Sequence, residues 1–407
     1  MLMRIQFAAR SFTIRSIKTT SVRLFHRCRS LASDGKKTIL VTGATGMLGS
    51  HFVAKALAAE SSWTVACLVR GENDDVASQR LAEKMKAWNR RIPEDEITHP
   101  RMIAVKGDIC EPQLGMSDCD YDRWSAQADA VVHFAADIRI TKGDESASVN
   151  MRACDEVFQF TNKGSKQPHL HFMSTIGSCA LLPGTASETL DHPIDHILPG
   201  GYGEQKWKAE QCLAESVRKR TDPTGNINLS IYRTPFVIDN TMLQPWTVPD
   251  FLFQIASLTK TVPEGVSYLP MHNLNTISKC VIINILRTME QADKVNDSGG
   301  NVGVYHLADT RRMKWQDQVA MLNEAGLGVS IVPWEDYKAQ LKEACINHEN
   351  PSKLWKGLPI LEASLRYNWT TLCTSKMQRI CRDEANFNLS TEGNLSSDDF
   401  RDLVVRR

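Results

Sequence analysis

Apolar positions along the chain alternate between two rhythms. A β-rich run, Thr38 to Val41, enters a glycine turn, and a helical pattern leaves it with Phe52, Val53, Ala56 and Leu57 on one face. A second strand follows at Thr64 to Val69, a helical stretch at Asp75 to Trp88, and a third strand at Met102 to Val105 that ends in Gly107-Asp108. The fourth strand, Ala130 to Phe134, ends in Ala135-Ala136-Asp137, and a helix covers Ala147 to Asn162. The fifth, His169 to Met173, ends in Ser174-Thr175; a helix opens near Tyr202, and a sixth strand spans Leu229 to Tyr232. Strands alternating with helices at this spacing predict an α/β fold built on a doubly wound parallel sheet of Rossmann type, with ligands beyond the carboxyl ends of the strands.

After about residue 240 the rhythm breaks. Pro245, Trp246, Pro249, Phe251 and Phe253 cluster, and helices (Thr276 to Thr288, Trp315 to Ala325) then mix with short strands (Val304 to Leu307, Val329 to Val332). This pattern predicts a nucleotide-binding domain over 36–240, a smaller C-terminal substrate-binding lobe over 241–385 and a polar tail over 386–407.

Composition adds limits. The 407 residues are 42% hydrophobic and 23% charged, as in a soluble globular protein. Net charge is +1, but residues 1–33 alone carry +7 and the remainder −6. A mildly acidic body carries no electrostatic footprint for nucleic acid. The first segment (1–35) is rich in Arg, Ser and Thr and has no acid before Asp34. It reads as a mitochondrial transit peptide, or else as a disordered basic tail on a cytoplasmic protein. Eleven cysteines without a C-x-x-C pair argue against a zinc site and a disulfide scaffold. No apolar run approaches the ~20 residues of a membrane span.

The candidate chemistry falls at the predicted strand ends. Gly43, Gly46 and Gly49 lie between strand and helix, where glycines allow a tight turn, backbone access to a pyrophosphate and close packing of helix on strand. The second strand ends in Arg70, where an acid would favour a ribose 2′-hydroxyl and an Arg a 2′-phosphate. Arg80 offers a second clamp, which makes the expected cofactor NADPH; Asp108 could accept from the adenine amino group or simply close a turn. Tyr202 and Lys206, four apart, project from one helix face. A Lys beside a phenol favours phenolate and is expected to lower its pKa. Thr175 offers a hydroxyl to a substrate carbonyl; its alternatives are a helix N-cap role, with Ser174 holding the carbonyl instead. Asn150 could order a water linking this group to solvent.

Together these residues resemble the extended short-chain dehydrogenase/reductase superfamily in its Thr-Gly-x-x-Gly-x-x-Gly form, Thr42 to Gly49. Cys67 to Arg70, Arg80-Leu81, Gly107 to Ile109, His133 to Ala136, Ser174 to Ile176 and above all Gly201 to Glu210 are similar to the thioester reductases: terminal reductase domains of peptide and polyketide synthetases, and carboxylic acid reductases. That resemblance implies Thr175, Tyr202 and Lys206 as the catalytic group with Asn150 beside it. It implies cofactor contacts from Thr42, Gly43, Thr45, Gly46, Met47, Leu48 and Gly49, from Arg70, Arg80, Asp108 and Ile109, and from Ala135 and Lys206. Gln205 and Phe134 depart from the usual family residues. The implied reaction is reduction by NADPH of an acyl thioester, on coenzyme A or a separate phosphopantetheine carrier protein, to an aldehyde, with alcohol as a second-step product. Rival readings are a fatty acyl-CoA reductase, an extended reductase acting on a nucleotide sugar or ketone, and an NADP-bound regulatory protein.

Overall fold

A computed structural model describes residues 36–89, 99–137, 143–163, 168–197, 201–219, 228–238, 248–292, 302–308, 313–347 and 369–387, with 166, 365 and 389. Along the chain come β1 (Lys37–Thr42), α1 (Met47–Ala59), β2 (Trp63–Val69), α2 (Asp74–Trp88), β3 (Met102–Lys106), α3 (Asp118–Gln127) and β4 (Ala130–His133). Next are α4 (Gly143–Lys163), β5 (His169–Thr175), β6 (Thr185–Ala186), α5 (Tyr202–Lys219), β7 (Leu229–Thr234), β8 (Phe236–Ile238) and α6 (Val248–Thr259). The remainder is β9 (Thr261–Pro263), β10 (Met271–Asn273), α7 (Leu274–Ala292), β11 (Val302–His306), α8 (Trp315–Glu324), β12 (Ser330–Val332), α9 (Trp334–Asn347), β13 (Thr371–Leu372) and α10 (Ser375–Ala385).

Seven strands form one sheet in the order β11-β7-β5-β4-β1-β2-β3, with every pairing parallel. The strands are apolar on both faces because helices cover both. In β1, Ile39 and Val41 pack towards α1, whereas Leu40 packs towards the opposite helices. In β2, Trp63, Val65, Cys67 and Val69 take the first face, and Ala66 and Leu68 the second. Helices α1, α2, α7 and α10 bury their apolar stripes on one side; α3, α4 and α5 cover the other. Strand order reverses between β1 and β4, opening the crevice in which a doubly wound sheet holds its ligand.

The expected strands and helices of the first 240 residues are present. The expected division at 240 is not how the chain folds. After β8 it builds a second core from α6, α8 and α9 with the short pairs β8–β10 and β9–β12. It also returns twice to the large sheet: β11 pairs with β7 as an edge strand, and α7 packs on α1. Leu274, Ile277, Val281, Ile285 and Leu286 form an apolar stripe that only the sheet side can bury. The polar tail expected after 386 is also corrected in its described part, since Phe387 and Leu389 are buried in that same core. Helix α6 occupies the stretch read as a proline–aromatic cluster; its proline at 249 lies in the first turn, where the missing N–H goes unused. The basic segment 1–35, most of the tail and Pro245-Trp246 lie outside the described residues. No helix among the described residues is long and apolar enough to cross a membrane.

Candidate active site

The glycine turn comes first. Gly43 has φ +76°, and a Cβ there would lie 2.5 Å from the Ala135 backbone nitrogen, so only glycine lets the β1 turn lie against the end of β4. A Cβ on Gly49 would run into the Gly43 carbonyl. Thr42 ties the two strand ends together: its Oγ1 lies 2.7 Å from His133 Nδ1, and the Ala135 amide donates to it at 3.4 Å. Helix α1 starts with no side-chain cap and no acid in its first turn. The first-turn amides of Met47, Leu48 and Gly49 therefore point out of the helix end towards the turn, the arrangement that receives phosphate. Trp88 Nε1 donates to Thr45 O at 2.9 Å and holds the turn from the α2 side.

Arg70 and Arg80 meet at the end of β2. Arg70 is exposed, and Arg80 Nη1 donates to its carbonyl at 3.3 Å. Of the two roles open to Asp108, the structure forms the turn: its Oδ1 accepts the Cys110 amide at 3.0 Å. Ile109 is half-buried and packs at the edge of the core beneath β3.

Across the sheet, Tyr202, Lys206 and Glu210 form a stripe on α5 that faces the end of β5. Lys206 is buried; its Nζ donates to Met173 O at 2.9 Å and sits 4.6 Å from the centre of the Phe172 ring. That ring stacks on His133 at 5.7 Å, so two side chains connect Lys206 to Thr42 of the glycine turn. Burial pushes the Lys206 ammonium down to about 8, opposed by Cys154 and the Glu210 carboxylate. Tyr202 is partly exposed, and burial alone pushes its phenol up to about 12. The expected lowering by Lys206 is therefore absent: the ammonium is directed at the Met173 carbonyl. A phenol that stays protonated is the form that can donate to a carbonyl oxygen.

Ser174 and Thr175 have separate tasks. Ser174 is buried and donates to Glu210 Oε1. Thr175 is partly exposed; its Oγ1 accepts the Gly177 amide at 3.2 Å, capping the short turn Ile176–Ser178, and its own proton remains available to a ligand. The N-cap role and the site role thus coexist, and Ser174 is excluded as the carbonyl holder. Asn150 ties two elements together. Its Oδ1 accepts the Asp137 amide at 2.7 Å, and its Nδ2 donates to Asp137 O and Gln205 Oε1, both at 3.0 Å. It fixes the loop after β4 and the first turn of α5, with the second lone pair of Oδ1 left over.

Two features escaped the sequence. Glu210 and Arg233, both fully buried, pair at 2.6 Å directly behind the β5 turn. The helical stripe 202–206–210 could have found the first; nothing local marks the second. Cysteine spacing argued against a metal, yet the fold brings Cys179, His192 and His306 together with their ligand atoms within 4.8 Å. Arg233 Nη1 lies 3.4 Å from His306 Nε2, so a guanidinium already uses the lone pair a metal would need. This cluster reads as the polar lining of a buried cation.

The family model described as male sterility protein, an NAD-binding family, matches residues 41–283. A non-reducing polyketide synthase (azaA) of Aspergillus niger is 25% identical over 337 residues, which are 78% of this chain and 12% of that protein. The chain thus spans a small part of the curated relatives it matches. Among solved structures, the terminal R domain from the myxalamid PKS-NRPS pathway superposes with TM-score 0.74 at 19% identity, covering 95% of this chain and 96% of that one. The reductase (R) domain of a nonribosomal peptide synthetase from Mycobacterium tuberculosis gives 0.72 at 19%, covering 94% and 95%.

Proposed function

The chain belongs to the male sterility family of extended short-chain dehydrogenase/reductases, and from that premise we propose that it is an NADPH-dependent reductase of acyl thioesters. The observation that carries the reading is the Tyr202–Lys206 pair on α5, set beside Thr175 and two side chains from the glycine turn. The relatives named above include a polyketide synthase, and the two solved structures named with it are reductase domains of such assemblies, which supports a thioester as the group reduced.

The turn at Gly43–Gly49, with its uncapped helix end, fits a dinucleotide pyrophosphate, and Arg70 with Arg80 fits a 2′-phosphate. When bound, NADPH supplies the hydride. Tyr202 and Thr175 donate hydrogen bonds to the substrate oxygen as negative charge develops there, and Tyr202 delivers the proton. A phenol held near 12 is protonated throughout the neutral range, as this step requires. Lys206, its ammonium held on the Met173 carbonyl at 2.9 Å, fixes the end of β5 that presents Thr175. The resulting hemithioacetal gives its hydroxyl proton back to Tyr202 as the C–S bond breaks, releasing aldehyde and a thiolate that takes its proton from solvent.

Incubation of the protein with NADPH and a panel of acyl-pantetheines and acyl-CoAs should release free thiol in step with NADPH consumption. Arg70→Ser should weaken NADPH binding at least tenfold and leave NADH binding within twofold. Absence of thiol release across the panel overturns the thioester reading; a wild-type preference for NADH overturns the role of Arg70.

A further inference from the structure

We propose that Glu210 is a positioning residue of this centre: from beneath, it fixes the turn that carries Thr175 and is the counter-charge shared by Lys206 and Arg233. The inference rests on the reductase reading above.

The carboxylate has no exposed surface. It accepts from Ser174 on one side of Thr175 and from Ser178, at 2.9 Å, on the other. Ser178 Oγ also lies 2.8 Å from the Thr175 carbonyl. Two neighbouring carbonyls are held as well, Met173 O by Lys206 at 2.9 Å and Ser174 O by Thr234 at 3.0 Å. Two successive carbonyls at the end of β5 are therefore held outright by side chains, the single Ser178 proton is shared between the third and Glu210, and Glu210 is one turn of helix from Lys206. The direction of the Thr175 hydroxyl depends on that backbone, and a donor displaced by an ångström loses most of its effect on a reacting oxygen.

Charge points the same way. Around the Lys206 ammonium lie Cys154 from α4, His133 from β4, the Phe172 ring from β5, and Glu210 from its own helix. Of these, only Glu210 carries negative charge at neutral pH. Its other oxygen and its shared face are taken by Arg233 from β7, at 2.6 to 3.2 Å. A buried ion pair is weak evidence for stability, because an apolar pair of similar volume is often as stable. What an apolar pair cannot do is hold two serine hydroxyls and favour a charged lysine.

The test uses the full chain and compares wild type with Glu210→Leu/Arg233→Met, in which the guanidinium is removed with its partner and Lys206 alone loses its counter-charge, and with Ser178→Ala. We expect the double variant to keep its melting temperature within a few degrees and its NADPH affinity within threefold. Its kcat should fall at least tenfold with KM within twofold, and the alkaline limb of the kcat profile should move to lower pH. The 13Cε resonance of Lys206, assigned by its loss in Lys206→Met, should titrate about one pH unit lower than in wild type. Ser178→Ala should lower kcat several-fold without moving that titration. A folded double variant with wild-type kcat and an unchanged lysine titration overturns the proposal; if the double variant fails to fold, wild-type kcat in Ser178→Ala does so. A wild type that releases no thiol defeats the reductase reading alone, and the lysine titration still decides whether Glu210 governs Lys206.

Discussion

Ser174 and Thr175 are neighbours at the end of β5, and alternation along a strand sends their hydroxyls in opposite directions. Ser174 faces inward to Glu210, and Thr175 faces the crevice. Loss of one donor to a developing oxyanion costs about 10²- to 10³-fold in rate. Thr175→Val should therefore lower kcat by about 10²-fold with NADPH binding and melting temperature nearly unchanged. Ser174→Ala should instead lower the melting temperature, since it leaves a buried carboxylate short of a donor, while costing less than tenfold in kcat. Steady-state kinetics beside thermal melts of both variants separate the roles; equal kinetic losses would show that the two hydroxyls are interchangeable. Sequence could place both residues at a strand end but not say which faced inward, because that depends on which helix covers the last residue. Tyr202 with Lys206 was legible for the opposite reason, since four-residue spacing on one helix needs no tertiary knowledge. Asn150 was placed correctly on its helix, but its partner Gln205 is fifty-five positions away, and a contact at that range leaves no local trace.

The central sheet carries several histidines in or beside its core. His133 on β4, His169 on β5 and His306 on β11, with His51 on α1, are each held down to about 3, chiefly because burial excludes their charged form. His171, stacked 4.4 Å from His169, is likewise held well below its ordinary value by burial. Hydroxyl partners satisfy a ring nitrogen of each: His171 with Tyr232 at 2.8 Å, His169 with Ser230 at 2.8 Å, His51 with Ser278 at 2.9 Å. The unfolded chain takes up a proton at each near 6.5, whereas the native state refuses it until about 3. Stability is therefore fully present well above 6.5 and falls progressively as pH drops through 6.5 towards 3. Each such histidine can cost up to about 2 kcal/mol between pH 6.5 and 5, an upper bound because the fold can relax. Urea midpoints at pH 7.5, 6.5 and 5.5 should fall in that order, with the larger drop between the last two. A midpoint independent of pH down to 5 would show that these rings are not buried neutral. Strand identity was readable from runs such as 38–41 and 64–69, but the polar network joining β5, β7 and α7 was not, because a lone histidine in an apolar run carries no record of its partner.

At the scale of the whole molecule, the last described segment completes the first core. Helix α10 and the residues after it lay Met377, Cys381, Ala385, Phe387 and Leu389 against α7, which in turn lies on α1 beneath the glycine turn. Cys280 and Cys381 face each other at 3.7 Å across the α7–α10 contact. The N-terminus of α10 is anchored as well: Glu188 accepts the Lys376 amide at 2.7 Å and the His306 amide at 3.1 Å, joining the helix to edge strand β11. Composition hid this role, since α10 is mostly polar or charged and its few apolar residues recur at helical spacing. Burial of Met377, Phe387 and Leu389 contributes roughly 1.5–3 kcal/mol each. Together that is about 5–9 kcal/mol, comparable with the total stability of a typical domain. A chain ending at Thr374 should therefore be insoluble or lack a cooperative melt, even though it keeps the glycine turn, Tyr202 and Lys206. A chain ending at Ser390 should melt within a few degrees of the full protein and bind NADPH with the same affinity. If the shorter chain also melts cooperatively and binds NADPH, α10 is a peripheral addition and the nucleotide-binding core is complete without it.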